Sequence, residues 1–204
     1  MEAGLRILEG IVTTLNEDGS ANISPMGPFV DEGMTRLLLR PYQTSTTYRN
    51  LKRSGEGVLH VTDDVELIAR TAVGRLESPP KLLPAPHING KILADACRWY
   101  EFRVVRIDDS QPRTEIEAKV VGQGRIRDFF GFNRAMHAVL EAAILATRIE
   151  WLPAEEILAD FERLAVPVEK TAGDPERRAF AFLEQYVREQ LNAKRADAAV
   201  QERT

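Results

Sequence analysis

The period of the apolar residues changes near Phe129, and that change constrains the fold more than any single motif. Before it, short apolar runs alternate with clusters of Gly, Pro, Asn and Asp, the pattern of strands joined by tight turns. After it, Phe132, Ala135, Met136, Val139, Leu140, Ala143 and Ile144 recur at i, i+3, i+4 and i+7, the spacing of a helix core stripe. The pattern predicts a mainly β unit at residues 1–123, a helical unit at 124–195 and a frayed polar tail at 196–204.

Within the β unit, residues 7–15 read as a strand, Asp18-Gly19 as a hairpin turn and residues 21–24 as the return strand. Pro25 cannot donate to a ladder, so the strand ends, bulges or lies on an edge there. Further strands are expected at 35–40, 57–61, 99–107 and 115–121, with a short helix at 46–53 stopped by Gly55. Asp63 reads as the cap of a helix running to about Arg70, with Glu66 completing a capping box. Residues 78–90 hold four prolines and an Asn-Gly pair, a long loop of the kind that covers a site. In the helical unit, one helix starts at Pro153 and runs to about Leu164, and another runs from Asp174 to about Lys194.

Composition narrows the partners. A net charge of −4 argues against a nucleic-acid surface, and no apolar run reaches membrane-spanning length. The single Cys97 suits a reducing compartment and reads as an inert thiol. Residues 1–6 lack the basic flank and apolar core of a leader, so a cytoplasmic protein is expected. His60, His87 and His137 show no metal-ligand spacing, and no metal is expected.

Two segments carry the candidate chemistry. At the start of the short helix, Thr44, Ser45, Thr46 and Thr47 place four hydroxyls beside free backbone amides, with Arg40 at the preceding strand end and Tyr42 and Tyr48 as flat faces. Such a cluster suits a phosphate monoester. The other reading is that Ser45 is only a helix cap. The second segment is Asn22, Ile23, Ser24, Pro25, Met26 and Gly27. A strand interrupted at Pro25 would leave backbone groups free for the polar edge of a flat ring, with Met26 as an apolar wall and Gly27 allowing close approach. A bulged edge strand without a ligand is the alternative there.

These residues also carry a family resemblance. Thr13 to Gly19, the Asn22–Gly27 turn and Tyr48-Arg49-Asn50-Leu51 are similar to the opening of flavin reductase-like split-barrel proteins, related to pyridoxamine phosphate oxidases. Over residues 7–165 the chain more closely resembles the family called domain of unknown function 447. The marks are Pro41 to Tyr48, Thr62-Asp63-Asp64, Trp99 to Phe102, Gly131 to Ala135 and Glu141 to Arg148. The resemblance implies an antiparallel six-stranded split β-barrel of the FMN-binding type followed by a C-terminal helical unit. It implies FMN as cofactor and a homodimer with the flavin near the subunit boundary. Taken together, the two segments and the resemblance give as cofactor residues Asn22, Ser24, Pro25, Met26, Gly27, Arg40, Tyr42, Thr44, Ser45, Thr46, Thr47 and Asn50. The reaction it points to is oxidoreduction of a small molecule, and it admits a pterin-linked role in one-carbon transfer. Met26 stands where flavin reductases often have Phe, and the helical unit is not part of their general pattern.

Four further residues read as substrate-side candidates. His87 lies in the proline-rich loop, and Asn133 and Arg134 open the first helix of the second unit. Glu141 is the one charged residue between Ala138 and Thr147, on an otherwise apolar stretch of helix, so it is expected to be buried and paired with His137, Arg134 or Arg148. His60, in an apolar strand, reads as a satisfied core histidine. Three rivals to a flavin oxidoreductase stay open: a non-catalytic flavin carrier, a binder of another phosphorylated or pterin ligand, and a structural dimer module.

Overall fold

The computed structural model describes residues 5–201. Residues 1–4, on which part of the leader argument rests, and residues 202–204 of the expected tail lie outside them. The chain divides into two compact units. One comprises the residues up to Asp63 together with Ser78–Phe130; the other comprises Asp64–Glu77 together with the residues from Gly131 onward.

The first unit is built on β1 (Arg6–Ile7), β2 (Gly10–Leu15), β3 (Ala21–Met26), β4 (Phe29–Val30), β5 (Arg36–Leu39), β6 (Glu56–Val61), β9 (Arg98–Asp108) and β10 (Glu115–Arg125). They form one antiparallel sheet in the order β1-β4-β5-β10-β9-β6-β2-β3. Six of these strands are four residues or longer, and β1 and β4 are two-residue additions. The order leaves β3 at an edge, which is why β3 runs through Pro25 to Met26 instead of ending: an edge strand can face its missing N–H outward. Val12, Leu39, Leu51, Leu59, Phe102 and Ile116 fill the concave core. Helix α1 (Thr46–Ser54) contributes Tyr48 and Leu51 to that core.

The segment read as a long loop holds a second, two-stranded sheet, β7 (Leu82–Pro84) with β8 (Lys91–Leu93). Alternation was too short there to signal strands among four prolines. Thr13 Oγ1 donates to Lys91 O at 2.5 Å, and Ile88 and Ile92 pack with Val58.

The second unit gathers α2 (Val65–Ala72), α3 (Arg134–Ala146), α4 (Ala154–Thr171) and α5 (Asp174–Gln201). The expected boundary at 123 falls after Phe130, and α2 belongs with the helices although it arises between strands. Helix α5 continues to Gln201, past the point where fraying was expected. Helix α4 extends past Leu164 and carries Pro167 inside it. The buried face of α3 is Ala135, Ala138, Val139, Ala142, Ala143 and Ala146, set against Ile157, Phe161 and Leu183. Phe132, expected on that stripe, lies before the helix and is 96% exposed. Glu141 is exposed and makes no ion pair among the described residues, which overturns its expected burial.

The cap of α2 is Asp64, whose carboxylate accepts from Leu67 N at 2.9 Å; Asp63, the expected cap, is engaged elsewhere. Asp63 Oδ2 accepts from Arg127 Nη1 and from Phe130 N, each at 2.9 Å, and its side chain is only 8% exposed. Hydrogen bonding from Arg127 holds the Asp63 carboxyl down to about 2, from 3.8. A depressed carboxyl contributes stability above its unfolded value and loses it as pH falls toward the folded one. The pair is therefore expected to contribute about 2 kcal/mol at neutral pH, lost between roughly pH 4 and pH 2. In a pH series of urea melts, Asp63→Asn should be less stable than the parent at pH 7 and converge with it near pH 2. Parallel curves across that window would refute the assignment.

Candidate functional site

Helix α1 starts where the sequence places it. Ser45 is its cap, with Oγ accepting from Tyr48 N at 3.1 Å. Arg49 N closes the first helical bond on Ser45 O at 3.2 Å, so the amides of Thr46 and Thr47 are those that helix geometry directs out of the end. Thr44 is exposed, and Thr46 Oγ1 accepts from Arg49 Nη2 at 3.0 Å. Arg49 Nη1 also donates to Thr44 O at 3.0 Å. A guanidinium thus stands among the hydroxyls, a cation that sequence reasoning did not single out; its i+3 spacing from Thr46 was the available signal.

The helix is seated on the β2–β3 hairpin by a buried polar network. Asn22 Nδ2 donates to Thr47 Oγ1 at 3.0 Å and to Thr14 Oγ1 at 3.2 Å. Asn50 Nδ2 donates to Thr14 Oγ1 at 3.0 Å and to Asn16 Oδ1 at 2.9 Å. Thr14, Thr47 and Asn50 are buried, so three of the expected cofactor residues, Asn22, Thr47 and Asn50, are joined in one structural cluster. Ser24, Pro25 and Met26 lie half-buried along edge strand β3. The space beside Gly27 is taken by this chain: a Cβ there would stand 2.7 Å from Glu9 Oε1 and 2.8 Å from Ile7 Cγ2.

Arg40 does not hydrogen-bond the hydroxyls. Its guanidinium lies 4.3 Å over the Phe29 ring, and its Nε is buried with no hydrogen-bond partner among the described residues. It lines a groove of about 720 Å³ on the outer face of the sheet, with Phe29, Arg36, Leu38, Val105 and Lys119. Tyr42 is 51% exposed, with Arg113 5.9 Å from its ring centre. Tyr48 is instead a core residue whose hydroxyl donates to Asp109 Oδ2 at 2.6 Å. Lys52 bonds the same carboxylate at 2.8 Å, which lowers the Asp109 carboxyl and raises the Lys52 ammonium.

His60 is the core histidine the strand pattern implied. Leu93 N donates to its Nε2 at 3.1 Å, so its Nδ1 carries the proton and donates to Ile11 O at 3.1 Å. Burial pushes its pKa down to about 4. His87 meets a residue that sequence reasoning did not single out, the fully buried Glu101 on β9, at 2.6 Å between Nδ1 and Oε2. Asn133 caps α3, accepting from Ala135 N at 2.8 Å and Met136 N at 3.1 Å, and Arg134 is exposed. His137 stacks on Phe132 with ring centres 6.1 Å apart. No group of three or more potential metal ligands occurs among the described residues. No helix among them is long and apolar enough to cross a membrane.

An open, curled antiparallel sheet with a capped helix packed on it, followed in sequence by a helical unit, is a fold of the split-barrel type. The FMN-bound protein MM1853 from Methanosarcina mazei shares the fold at a TM-score of 0.76 and 23% identity, over 90% of this chain and 97% of that one. The chain belongs to the DUF447 family: the model of its N-terminal domain matches residues 8–127, and a second model, described as protein of unknown function (DUF447), matches residues 133–185. Two more solved structures align less fully. The 2-nitrobenzoate 2-nitroreductase NbaA of Pseudomonas fluorescens is 18% identical over 61% of this chain and 66% of its own, at a TM-score of 0.49. The styrene monooxygenase flavin reductase of Pseudomonas putida S12 is 14% identical over 57% and 77%, also at 0.49. No curated protein matches the chain.

Proposed function

We infer that the protein binds FMN and works as an oxidoreductase on a small molecule, as a homodimer. The observation that carries the reading is the start of α1, where the hydroxyls of Thr44, Ser45 and Thr46 stand with the Arg49 guanidinium at the positive end of a helix. That is the donor set a phosphate monoester requires. Ser24, Pro25 and Met26 on the open edge of β3 would line the ring, and Tyr42 offers a further exposed aromatic face. Asn22, Thr47 and Asn50 serve by seating α1 on the hairpin, since their polar atoms are already joined to one another and to Thr14. The flavin would supply the hydride or single-electron chemistry, and the chain supplies binding and orientation. The FMN-bound relative of the same family supports this choice of ligand.

The first test is the visible spectrum of freshly purified protein, with any released chromophore weighed by mass spectrometry. FMN near one per chain is expected; a colourless protein that takes up no added FMN would overturn the reading. Ser45→Ala combined with Thr46→Ala should weaken FMN by about 1–3 kcal/mol through lost charge-assisted hydrogen bonds, while riboflavin, which lacks the phosphate, changes little. Equal losses for both ligands would move the phosphate elsewhere. Sedimentation should return twice the chain mass.

A further inference from the structure

The outer face of the first unit holds a histidine–carboxylate pair that the flavin reading does not use. Glu101 projects from β9 and is 0% exposed, yet among the described residues its hydrogen-bond donors come from one residue alone. His87 N donates to Oε1 at 2.8 Å, and His87 Nδ1 stands 2.6 Å from Oε2. In the tautomer with the proton on Nδ1, that nitrogen donates to Oε2 and Nε2 keeps its lone pair. The imidazole is 57% exposed while its partner is fully enclosed.

The surroundings are shaped around the pair. Gly122 on β10 lies opposite Glu101 where the β9–β10 register shifts. A Cβ at Gly122 would stand 2.1 Å from Glu101 Oε2 and 2.5 Å from His87 Nδ1, so any other residue there would displace the contact. The loop is clamped at the histidine and just after it. Arg103 Nη2 donates to His87 O at 3.0 Å and its Nε to Glu56 Oε1 at 3.1 Å, while Asn89 N donates to Glu56 Oε2 at 3.0 Å. Ile88 packs on Val58 and Ile92. An imidazole held through one nitrogen against an enclosed carboxyl, with the ring itself more than half exposed, is the arrangement general-base chemistry uses.

We propose that His87 and Glu101 form a proton-transfer pair acting on a small molecule at the outer face of β9 and β10. Nε2 takes a proton from an acidic O–H, N–H or C–H bond of that molecule. The bond's electron pair stays with the substrate, and Glu101 balances the imidazolium until the proton passes to solvent. The pair stands independently of FMN.

The probe is 5-nitrobenzisoxazole, in which a base removes the ring C–H proton as the N–O bond opens to a coloured cyanophenolate. The full-length protein should release cyanophenolate faster per site than the same concentration of free imidazole. His87→Gln, which keeps the backbone bond to Glu101, should lose at least about tenfold, toward the range general bases contribute. Glu101→Gln should fall between the two, and His137→Gln, at an exposed imidazole stacked on Phe132 that makes no ion pair among the described residues, should match the parent. Circular dichroism checks that each variant is folded. A parent rate equal to that of His87→Gln, or no faster than free imidazole, overturns the proposal. Because the assay needs no flavin, failure to bind FMN and failure of the pair are read separately.

Discussion

Phe102→Ala is expected to destabilise the first unit by about 3–5 kcal/mol, the usual cost of removing a fully buried aromatic ring. Phe102 is 0% exposed and sits in the middle of β9, in register with Gly57 on β6 and Val120 on β10. Its ring lies over Gly57 so closely that a Cβ there would be 2.6 Å from Cζ. That glycine has no side chain to swing into the vacated space, and the flanking strands are held by their ladders, so most of the cavity would persist. Phe102→Leu keeps much of the volume and should cost about 1–1.5 kcal/mol. Urea unfolding followed by fluorescence reads the loss through Trp99, three residues away on the same strand, while Trp151 is already 74% exposed and changes little. A loss under about 1 kcal/mol would mean the core has collapsed around the gap.

What could be read from the sequence was what short-range chemistry decides. The Asp18-Gly19 hairpin, the Ser45 cap with its Gly55 stop, and the six longer strands all stand within a few residues of expectation. What escaped was decided by partners far along the chain. Asp63 and Asp64 are equivalent caps in sequence; Arg127, 64 residues on, takes one and leaves the other. The continuation of β3 through Pro25 depends on its edge position, which the sheet order sets and local sequence does not. The buried stripe of α3 departs from the expected one because the tight α3–α4–α5 packing selects small residues. It buries alanines and leaves the larger Met136 and Leu145 only partly covered. Glu141, two residues on from Val139, points away from both the expected and the observed stripe and so falls on the outside.

The candidate site divides in the same way. The hydroxyl cluster is contiguous, so its reading as an anion site needs only adjacent residues, whereas the groups that position it meet across 25 and 36 residues of sequence. His87 stood out for its loop, but Glu101 looked like one polar residue in an alternating strand. The signal that could have found it is a charged residue on β9 matched by Gly122 and Gly124 on β10. There, glycines clear the sheet face for a carboxylate and for the Trp99 ring.

Asn50→Leu should cost about 2 kcal/mol, because it leaves Asn16 Oδ1 and one bond of the buried Thr14 Oγ1 unmade while keeping the branched shape of the side chain. Asn22→Leu, in a less buried position, should cost about 1 kcal/mol. The two amides share Thr14 Oγ1 as acceptor, so the double variant should depart from additivity by about 0.5–1 kcal/mol. A strictly additive pair of denaturation midpoints would mean that the hydroxyl does not couple them. Ligand binding separates this role from that of the hydroxyls. If Asn50 only seats α1 on the hairpin, its loss displaces the phosphate end and the ring wall together, and both FMN and riboflavin weaken. On the proposed reading, Ser45 and Thr46 act on the phosphate alone. A variant at Asn50 that weakened FMN and spared riboflavin would put its amide in direct contact with the phosphate, in place of the network with Thr14 and Asn16.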